Sequence, residues 1–334
     1  MNIMNSELRQ DLVSGDWIVI SPGRNKRPHQ LIKKSEKKIK APKKGCPFEG
    51  LGKDGNEKPI LVYGNEKNRE NWQAIVIKNK YPALKCGGIC TTFVKNGPYK
   101  VAEAIGHHEL VITRNHDKNF ANLPKADARQ VFEIFRDRYL MLLNDKCLEY
   151  ISIFHNWGPK AGASLYHPHY QIVAIPVIPP DIQHSLSGSY EYYKKHKKCV
   201  HCVMLDFEKK HKGRIVYENA GAIAFTPYVS KEPFEIRIFP KKHLPYFENT
   251  PDADLDYVVD ALQVALKKIE KKLKNPDYNF FIHTAPLKNK ENFRHYHWHV
   301  EVIPKMSIAA GFELGTGIEI NVVDPDEAAK FLRK

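Results

Sequence analysis

The sequence is poor in cysteine and contains no long apolar run. Six cysteines in 334 residues are too few and too dispersed for the disulfide framework of a small secreted domain. No stretch approaches the roughly 18 apolar residues that a membrane-spanning helix requires. The first residues also lack the charged-then-apolar pattern of a secretory signal. We therefore expect a cytoplasmic protein with no membrane partner.

Acidic residues are fewer than basic ones, 38 against 52, which gives a formal net charge of +14. A charge of this size can indicate nucleic-acid binding, so a nucleic-acid-binding zinc protein is the alternative from a different functional class. Glutamate is interleaved with lysine in most of the charged runs, whereas aromatic residues are not. We interpret these runs as solvated surface with a general attraction for anionic substrates, and expect no nucleic-acid partner.

One pattern occurs twice in the chain. Tyr150 precedes His167 by the same number of residues as Tyr278 precedes His295, and both segments end at an Ile-Pro pair equally far from that histidine. Repetition at this spacing indicates an internal duplication. The chain is long enough for two domains. We place an N-terminal domain at residues 1–190 and a C-terminal domain at residues 191–334.

The predicted secondary structure also repeats. Apolar residues at helical spacing predict one helix over 125–146 and another over 252–274. Strands precede each helix, and two more strands follow it. This order predicts an α+β fold of two tandem histidine-triad-like domains, each with an antiparallel sheet and a long helix.

The second copy contains the residue types of a closed tetrahedral zinc site. Its candidate ligands are Cys199, Cys202, His243 and His295. The corresponding residues of the first copy are Cys46, Glu49, His116 and His167. Glu49 stands where the second cysteine is expected, so we expect the first site to hold metal more weakly. Three further cysteines are interpreted as packing residues: Cys86, Cys90 and Cys147.

A strand near His167 carries the candidate reactive groups. Successive side chains alternate along a strand, so His167, His169 and Gln171 project from one face. If His167 binds metal, His169 is the free imidazole and can attack the α-phosphorus of a nucleotide. Gln171 can donate a hydrogen bond to a phosphoryl oxygen but cannot act as an acid, which favours transfer over hydrolysis. The loop from Asn156 to Ser164 can offer backbone N–H groups, an amide and a hydroxyl to the phosphates.

These residues resemble the signature of the galactose-1-phosphate uridylyltransferase family, a branch of the histidine-triad superfamily. The resemblance covers nearly the whole chain through Leu8-Arg-x-Asp11, Ser14-Gly-Asp-Trp17, Arg24-x-Lys-Arg27-Pro28, Asn79-x-x-Pro-Ala-Leu84, His116, Asn156, Gly162-Ala-Ser164, His167-Pro-His169-x-Gln171 and the C-terminal segment from Gly311 to Asn321.

The resemblance implies a homodimer and a ping-pong reaction. UDP-glucose would form a uridylyl-His169 and release glucose 1-phosphate, and galactose 1-phosphate would then accept the UMP group. Asn79 would contact the nucleoside, Phe312 and Glu313 the hexose, and His167 would bind zinc. The residues implied to hold the phosphates, with Gly162 in their loop, are Arg24, Arg27, Asn156, Ser164 and Gln171.

The sequence departs from the family pattern at several places. Besides Glu49, Lys80 follows Asn79 where an acid is common, and Glu319 stands where a sugar-binding glutamine is expected. The second copy keeps a full triad pattern at His295, His297 and His299. Lys80 leaves the identity of the nucleotide base undecided, whereas Glu319 and the triad leave the identity of the hexose undecided. The alternative is adenylyl transfer to phosphate, as in ADP-glucose phosphorylases, which share the catalytic motif and a Cys₂His₂ site in the second domain. Hydrolysis by the second triad is disfavoured because that copy lacks the glycine-serine loop.

Overall fold

The computed structural model describes residues 6–25, 40–51, 58–64, 72–87 and 90–334. In chain order its strands are β1 (Glu7–Gln10), β2 (Trp17–Ile20), β3 (Leu61–Gly64), β4 (Trp72–Lys78), β5 (Val94–Asn96), β6 (Tyr99–Val101), β7 (His107–Thr113), β8 (Tyr150–Trp157), β9 (His169–Ile175), β10 (Ile215–Glu218), β11 (Ala222–Phe225), β12 (Ile236–Pro240), β13 (Tyr278–His283), β14 (His299–Pro304) and β15 (Ile320–Asn321). Its α-helices are α1 (Lys125–Leu142), α2 (Pro180–His196), α3 (Val200–His211), α4 (Asp252–Lys272), α5 (Gly311–Thr316) and α6 (Pro325–Arg333).

Ten strands form one antiparallel sheet in the order β10-β11-β12-β14-β13-β8-β9-β7-β4-β3. From edge to centre, its two halves have the same arrangement: β3-β4-β7-β9-β8 and β10-β11-β12-β14-β13. The halves join where β13 pairs with β8, with Tyr278 opposite Trp157. The predicted α+β fold is confirmed, and the two halves share a continuous sheet. The boundary between residues 190 and 191, which lies within α2, stays a prediction.

Helices α1 and α4 cover one face of this sheet. They coincide with the two predicted helices and end at Leu142 and Lys272. Their buried apolar residues pack with alternate strand residues such as Val111, Ile172 and Val300. Because strand side chains alternate, His169 and its neighbours at even spacing project from the opposite face. The helices therefore leave that face for the candidate site.

Helices α2 and α3 were not predicted from the apolar pattern. Only Ile182, Leu186 and Ser189 of α2 are buried, so this helix shows little apolar periodicity. Cys199 directly precedes α3, and Cys202 lies in its first turn. Helical geometry therefore brings the two cysteines of the Cys-x-x-Cys sequence to the same end of one helix.

A smaller sheet, β1-β2-β15, joins segments from opposite ends of the chain. The turn between β1 and β2 includes Gly15, whose φ of 80° lies in the left-handed region that glycine tolerates. Ile320 of β15 pairs in parallel with Val19 of β2. This pairing brings the C-terminal segment beside the turn at Pro22–Asn25 that follows β2.

Cys90 and Cys147 form a disulfide with an S–S distance of 2.01 Å. Interpreting them as packing residues was therefore wrong, and Cys86, which is exposed, is not a packing residue either. The two bonded cysteines are 57 residues apart in the chain, so only the tertiary fold reveals their pairing. Among the described helices, none has both the length and the apolar character needed to cross a membrane.

Candidate active site and metal centres

His169 lies at the start of β9, on the sheet face opposite α1 and α4. The residue is only 7% exposed, and its Nδ1 lies 3.0 Å from the backbone oxygen of His167. A carbonyl oxygen only accepts hydrogen bonds, so Nδ1 carries the proton and Nε2 keeps its lone pair. Burial lowers the pKa of His169 below its ordinary value of 6.5. The neutral imidazole can therefore act as a nucleophile through Nε2.

The loop after β8 has a closed backbone. Pro159–Ala161 forms a 3-10 turn, and Gly158 and Gly162 have φ values of 86° and 87°. The N–H groups of Ala161 and Ala163 both donate to the carbonyl of Gly158. The N–H of Gly162 donates to Pro159, and that of Lys160 donates to Asp277. Contrary to our expectation, these four N–H groups donate to acceptors within the loop or to Asp277 and are not offered to a phosphate.

Side chains at the two ends of this loop are better placed as donors. Asn156 Oδ1 accepts a hydrogen bond of 2.7 Å from Asn279 Nδ2, which also donates to Ala161 at 2.8 Å. This contact turns the amide nitrogen of Asn156 toward Gly162, where a Cβ would lie 3.6 Å from it. Ser164 is exposed at the other end. Asn156 and Ser164 can thus supply an amide and a hydroxyl beside β9.

The predicted ligands of the first metal site lie together. Cys46, His116 and His167 have ligand atoms within 4.8 Å of one another. Glu49 Oε1 lies 3.2 Å from His116 Nδ1 and 3.7 Å from His167 Nδ1. Phe48 packs edge-on against both His167 and His169, which places this metal group directly beside the candidate nucleophile.

The donor set of this group fits a cation. His116 Nε2 and His167 Nε2 donate to the carbonyls of Ala41 and Thr113, so the proton of each ring is on Nε2. Their Nδ1 atoms, which carry lone pairs, are 3.2 Å apart. Glu49 Oε1 is buried and has no hydrogen-bond donor in the described part of the chain. Two lone pairs and a carboxylate at this separation repel one another unless a positive charge lies between them.

The second metal group contains Cys199, Cys202, His243 and His297. Cys202 Sγ lies 3.3 Å from His243 Nδ1 and 3.6 Å from His297 Nδ1. His243 Nε2 donates to the carbonyl of Arg294, which leaves its Nδ1 with a lone pair. A hydrogen bond from the Cys202 thiol lowers the pKa of Cys199. Two sulfurs and two imidazoles match the residue set of a tetrahedral zinc site.

His295 was expected in this group, but the structure places His297 there. The ring of His295 packs against Tyr190 and Tyr193 of α2, with ring centroids 5.5 and 5.9 Å apart. The sheet register explains the difference. In the first copy, Ile112 lies four residues before His116 and pairs with His169. In the second copy, Phe239 lies four residues before His243, and its ring stacks on the ring of His299. His169 and His299 are therefore in equivalent positions. His297 is therefore the counterpart of His167, and the match between the two copies shifts by two residues.

Gln171 and Asn79 meet at a residue that the sequence analysis did not single out, His108. The Nε2 atom of His108 lies 2.8 Å from Gln171 Oε1 and 3.0 Å from Asn79 Nδ2. Asn79 follows β4, and its backbone N–H donates to the carbonyl of His108. The expected nucleoside-binding segment is therefore adjacent to the catalytic face of β9.

Arg24 and Glu313 lie in a second polar region, beside the small sheet. The Glu313 carboxylate accepts a hydrogen bond from the backbone N–H of Ala310. Such N–H donors, with a further contribution from Arg24, lower the pKa of Glu313. Phe312, next to it, is 48% exposed. Arg27 lies outside the described residues.

His283, His299 and Glu301 form a third cluster on the same sheet face. Glu301 Oε2 lies 3.0 Å from His283 Nε2 and 3.8 Å from Arg237 Nε. Arg237 also pairs with the buried Glu235 at 3.0 Å. Arg237 and His283 together account for the buried carboxylate of Glu301 in this cluster.

Three residues of these sites were missed in the sequence analysis: His108, Asn279 and His297. His297 was visible in the sequence within the triad pattern but was assigned no ligand role. Alternation along β7 would have placed His108 on the face of Leu110 and Ile112, but strand pairing was needed to bring it to Gln171. Asn279 gives no signal in the sequence, since its role depends on the contact between β13 and β8.

Comparisons with known proteins find relatives along nearly the whole chain. The family model "Galactose-1-phosphate uridyl transferase, N-terminal domain" matches residues 1–179, and a domain of unknown function, DUF4921, matches residues 99–332. ADP-glucose phosphorylase of Arabidopsis thaliana is 33% identical over 331 residues, which cover 98% of this chain and 92% of that protein. Galactose-1-phosphate uridylyltransferase of Thermotoga maritima is 30% identical over 336 residues, which cover 98% of each. The crystal structure of an Arabidopsis thaliana ADP-glucose phosphorylase with bound ADP-glucose has a TM-score of 0.82 at 30% identity and covers 99% of each chain.

A duplicated α+β fold with a neutral imidazole on a His-x-His-x-Gln strand defines a nucleotidyltransferase of the histidine-triad type. The chain belongs to the galactose-1-phosphate uridyl transferase family. The resemblance inferred from the sequence is thereby confirmed.

Proposed function

We propose that this enzyme transfers a nucleoside monophosphate from a nucleotide sugar to a phosphate-bearing acceptor through a covalent nucleotidyl-His169. The observation that carries this proposal is the hydrogen bond of 3.0 Å between His169 Nδ1 and the His167 carbonyl. It leaves Nε2 with a lone pair in a partly enclosed site, which is the state that a nucleophilic imidazole needs.

In the first half-reaction, Nε2 forms a bond to the α-phosphorus. The bond from that phosphorus to the oxygen bridging the β-phosphate breaks, and hexose 1-phosphate leaves with that oxygen. In the second half-reaction, a phosphate oxygen of the acceptor attacks the same phosphorus and displaces Nε2. Because Nε2 carries no proton, no base is needed, and the Nδ1–H donor to His167 stabilises the positive charge that the ring gains.

Three side chains can stabilise the oxygens of the transferred group. Gln171 lies on the same strand and face as His169, two residues away. Asn156 can donate its amide N–H groups, whose orientation Asn279 fixes, and Ser164 can donate its hydroxyl. Donors fixed before reaction lower the barrier because they need not reorganise as charge develops. We also propose that Arg24 and Arg27 bind phosphate and that Phe312 and Glu313 contact the hexose.

We propose zinc at both metal groups. Cys46, Glu49, His116 and His167 would hold one ion and the group containing His297 the other. When bound, zinc fixes its ligands and neutralises their charge. At the first group it would thereby fix His167, whose carbonyl orients His169. The cytoplasmic location and the homodimer stay predictions.

For the donor, we propose ADP-glucose with phosphate as acceptor ahead of UDP-glucose with galactose 1-phosphate. The support is the full-length similarity to an Arabidopsis ADP-glucose phosphorylase, together with Lys80 and Glu319, which depart from the uridylyltransferase pattern. UDP-glucose is the second candidate because a Thermotoga uridylyltransferase matches over the same length.

The test offers ADP-glucose or UDP-glucose, labelled at the α-phosphate, to wild-type protein and to His169→Ala. We expect wild-type protein alone to gain covalent label and to release glucose 1-phosphate. Adding phosphate or galactose 1-phosphate separately then identifies the acceptor from the labelled product. Equal labelling of His169→Ala would refute the proposed nucleophile. Preference for UDP-glucose with galactose 1-phosphate would select the second candidate.

A further inference from the structure

His108 contacts three residues of the site, Ala83, Gln171 and Asn79, through its ring and its carbonyl. The N–H of Ala83 donates to His108 Nδ1 at 3.1 Å. On the other side of the ring, Nε2 lies 2.8 Å from Gln171 Oε1. The His108 carbonyl accepts the N–H of Asn79 at 2.9 Å. His108 thus joins the segment from Asn79 to Ala83 to the catalytic face of β9.

The contact from Ala83 determines which tautomer His108 adopts. A backbone N–H can only donate, so Nδ1 must accept and the proton of the neutral ring is on Nε2. Nε2–H then donates to Gln171 Oε1. The nitrogen of Asn79, 3.0 Å from Nε2, cannot donate to an atom that already carries a proton. The Oδ1 atom of Asn79 accepts the N–H of Tyr81 at 2.9 Å, which opposes a reversed orientation of that amide.

This tautomer fixes the orientation of the Gln171 amide. With its oxygen and nitrogen exchanged, Gln171 would place an N–H against Nε2–H of His108, which is unfavourable. The oxygen must therefore face His108, so the NH₂ group points to the other side of the amide. Gln171 pairs with Leu110 and His169 with Ile112 along β9, so Gln171 and His169 share a sheet face.

We infer that His108 is a positioning residue for nucleotidyl transfer, which holds the Gln171 amide with its N–H donors toward the phosphoryl oxygens at His169. This inference rests on the proposed function. It goes further in assigning a role to a residue that does not itself touch the reacting atoms. The segment from Asn79 to Ala83, which is expected to bind the nucleoside, contributes to this positioning because the N–H of Ala83 sets the tautomer of His108.

A first experiment tests the tautomer without requiring activity. In protein labelled with ¹⁵N at histidine, the His108 signals are assigned as those absent from His108→Phe. We expect Nδ1 to have the shift of an unprotonated acceptor and Nε2 that of a protonated nitrogen at mildly alkaline pH. A proton on Nδ1 would overturn the inference, whether or not the protein turns over a nucleotide sugar.

A second experiment measures coupling between His108 and Gln171 during a single turnover of covalent labelling. Loss of one orienting hydrogen bond should slow labelling about 10-fold in His108→Phe, and loss of the donor itself about 100-fold in Gln171→Ala. The double variant should be no slower than Gln171→Ala, because His108 acts only through that amide. Additive losses would contradict the positioning role.

The matched control is His107→Phe. His107 precedes His108 on β7, is also part-buried, and pairs with Asp145 at 3.0 Å rather than with the site. We expect it to label at the wild-type rate. Circular dichroism and zinc content establish that each variant is folded. If wild-type protein gains no label from either nucleotide sugar, the proposed function fails, and the tautomer measurement still decides whether His108 orients the Gln171 amide.

Discussion

His297 Nδ1 lies 3.6 Å from Cys202 Sγ, in the place that the sequence pattern assigned to His295. His295 instead packs against the rings of Tyr190 and Tyr193. The second metal group therefore combines residues from the start of α3, the segment after β12 and the segment before β14. This arrangement distinguishes two histidines that the sequence alone could not.

The first prediction compares these two histidines by substitution. His297→Ala should lose about one zinc ion per chain and lower the thermal midpoint, because a structural metal contributes its binding free energy to folding. His295→Ala is the matched control and should retain zinc. Metal analysis of the purified proteins, with thermal unfolding, decides between them. Zinc loss from His295→Ala alone would restore the original assignment.

The reason that sequence could not make this distinction is the two-residue period of a strand. His295, His297 and His299 would all project from one face of an extended segment, so a shift by two leaves the pattern unchanged. Only the pairing of β12 with β14 fixes the register. By contrast, α1 and α4 could be predicted, because an apolar stripe over five turns has few alternative interpretations.

The second prediction concerns the carboxylate ligand of the first metal group. Glu49 Oε1 faces the Nδ1 atoms of His116 and His167. Glu49→Ala should release metal to a chelator faster than wild-type protein does, whereas Glu49→Cys should retain it longer, since zinc binds thiolate well. Glu327→Ala, at an exposed position, is the control. Identical release from all four proteins would show that Glu49 does not bind the metal.

The third prediction concerns Gly158. Its φ is 86°, and a Cβ there would overlap the carboxylate of Asp277, which accepts the N–H of Lys160. Gly158→Ala should therefore displace Asp277. It should lower the free energy of unfolding by more than about 1 kcal/mol, which is the cost expected from a positive φ alone. Gly97→Ala, with φ of 61° and open space at its Cβ, is the control for a positive φ alone, whereas Gly158 also has a ψ of 160°, a combination that is essentially restricted to glycine. Urea unfolding of both variants gives the difference, and equal losses would show that neither this backbone conformation nor the contact with Asp277 adds to the cost.

The fourth prediction concerns pH. Glu235 is fully buried, and burial raises its pKa from 4.5 to about 7, with the nearby Glu301 adding to the rise and Arg237 opposing it. Between pH 4.5 and about 7, the folded protein therefore keeps a proton on Glu235 that the unfolded chain releases. The stability from this carboxyl is therefore fully present below pH 4.5 and is lost as pH rises through about 7.

Glu235→Gln removes this titration. Relative to wild-type protein, the variant should become more stable as pH rises from about 5 to about 8, by up to about 1.4 kcal/mol per pH unit. Urea unfolding at both pH values measures the change, with the exposed Glu327→Gln as control. A stability difference that is the same at both pH values would mean that Glu235 stays ionised throughout.

The candidate active site was predictable where residues are close in sequence. His169 and Gln171 lie on β9, and His167 precedes this strand by two residues, so alternation alone placed them together. The residues that orient the side chains of the site come from other strands: His108 of β7 contacts Gln171, and Asn279 of β13 contacts Asn156. Their roles depend on strand pairing, on which a local pattern carries no information.

The last prediction asks how the nucleotidyl-imidazole avoids water. Gln171 can donate hydrogen bonds to the phosphoryl oxygens but cannot deliver a proton as an imidazolium does. In Gln171→His, the new ring would accept Nε2–H of His108 on one nitrogen and present its other nitrogen toward His169. Because the accepting nitrogen keeps its lone pair, this second nitrogen carries the proton of the neutral ring and could protonate a leaving group. We therefore expect the ratio of free nucleoside monophosphate to transferred product to rise in Gln171→His, with total turnover reduced.

Gln171→Asn, which keeps the amide but shortens the side chain, should lower both rates without changing their ratio. The measurement is product analysis by chromatography with and without acceptor. If the ratio in Gln171→His also stays at the wild-type value while both rates fall, Gln171 only positions the phosphate, and the loop and the C-terminal segment must exclude water by themselves.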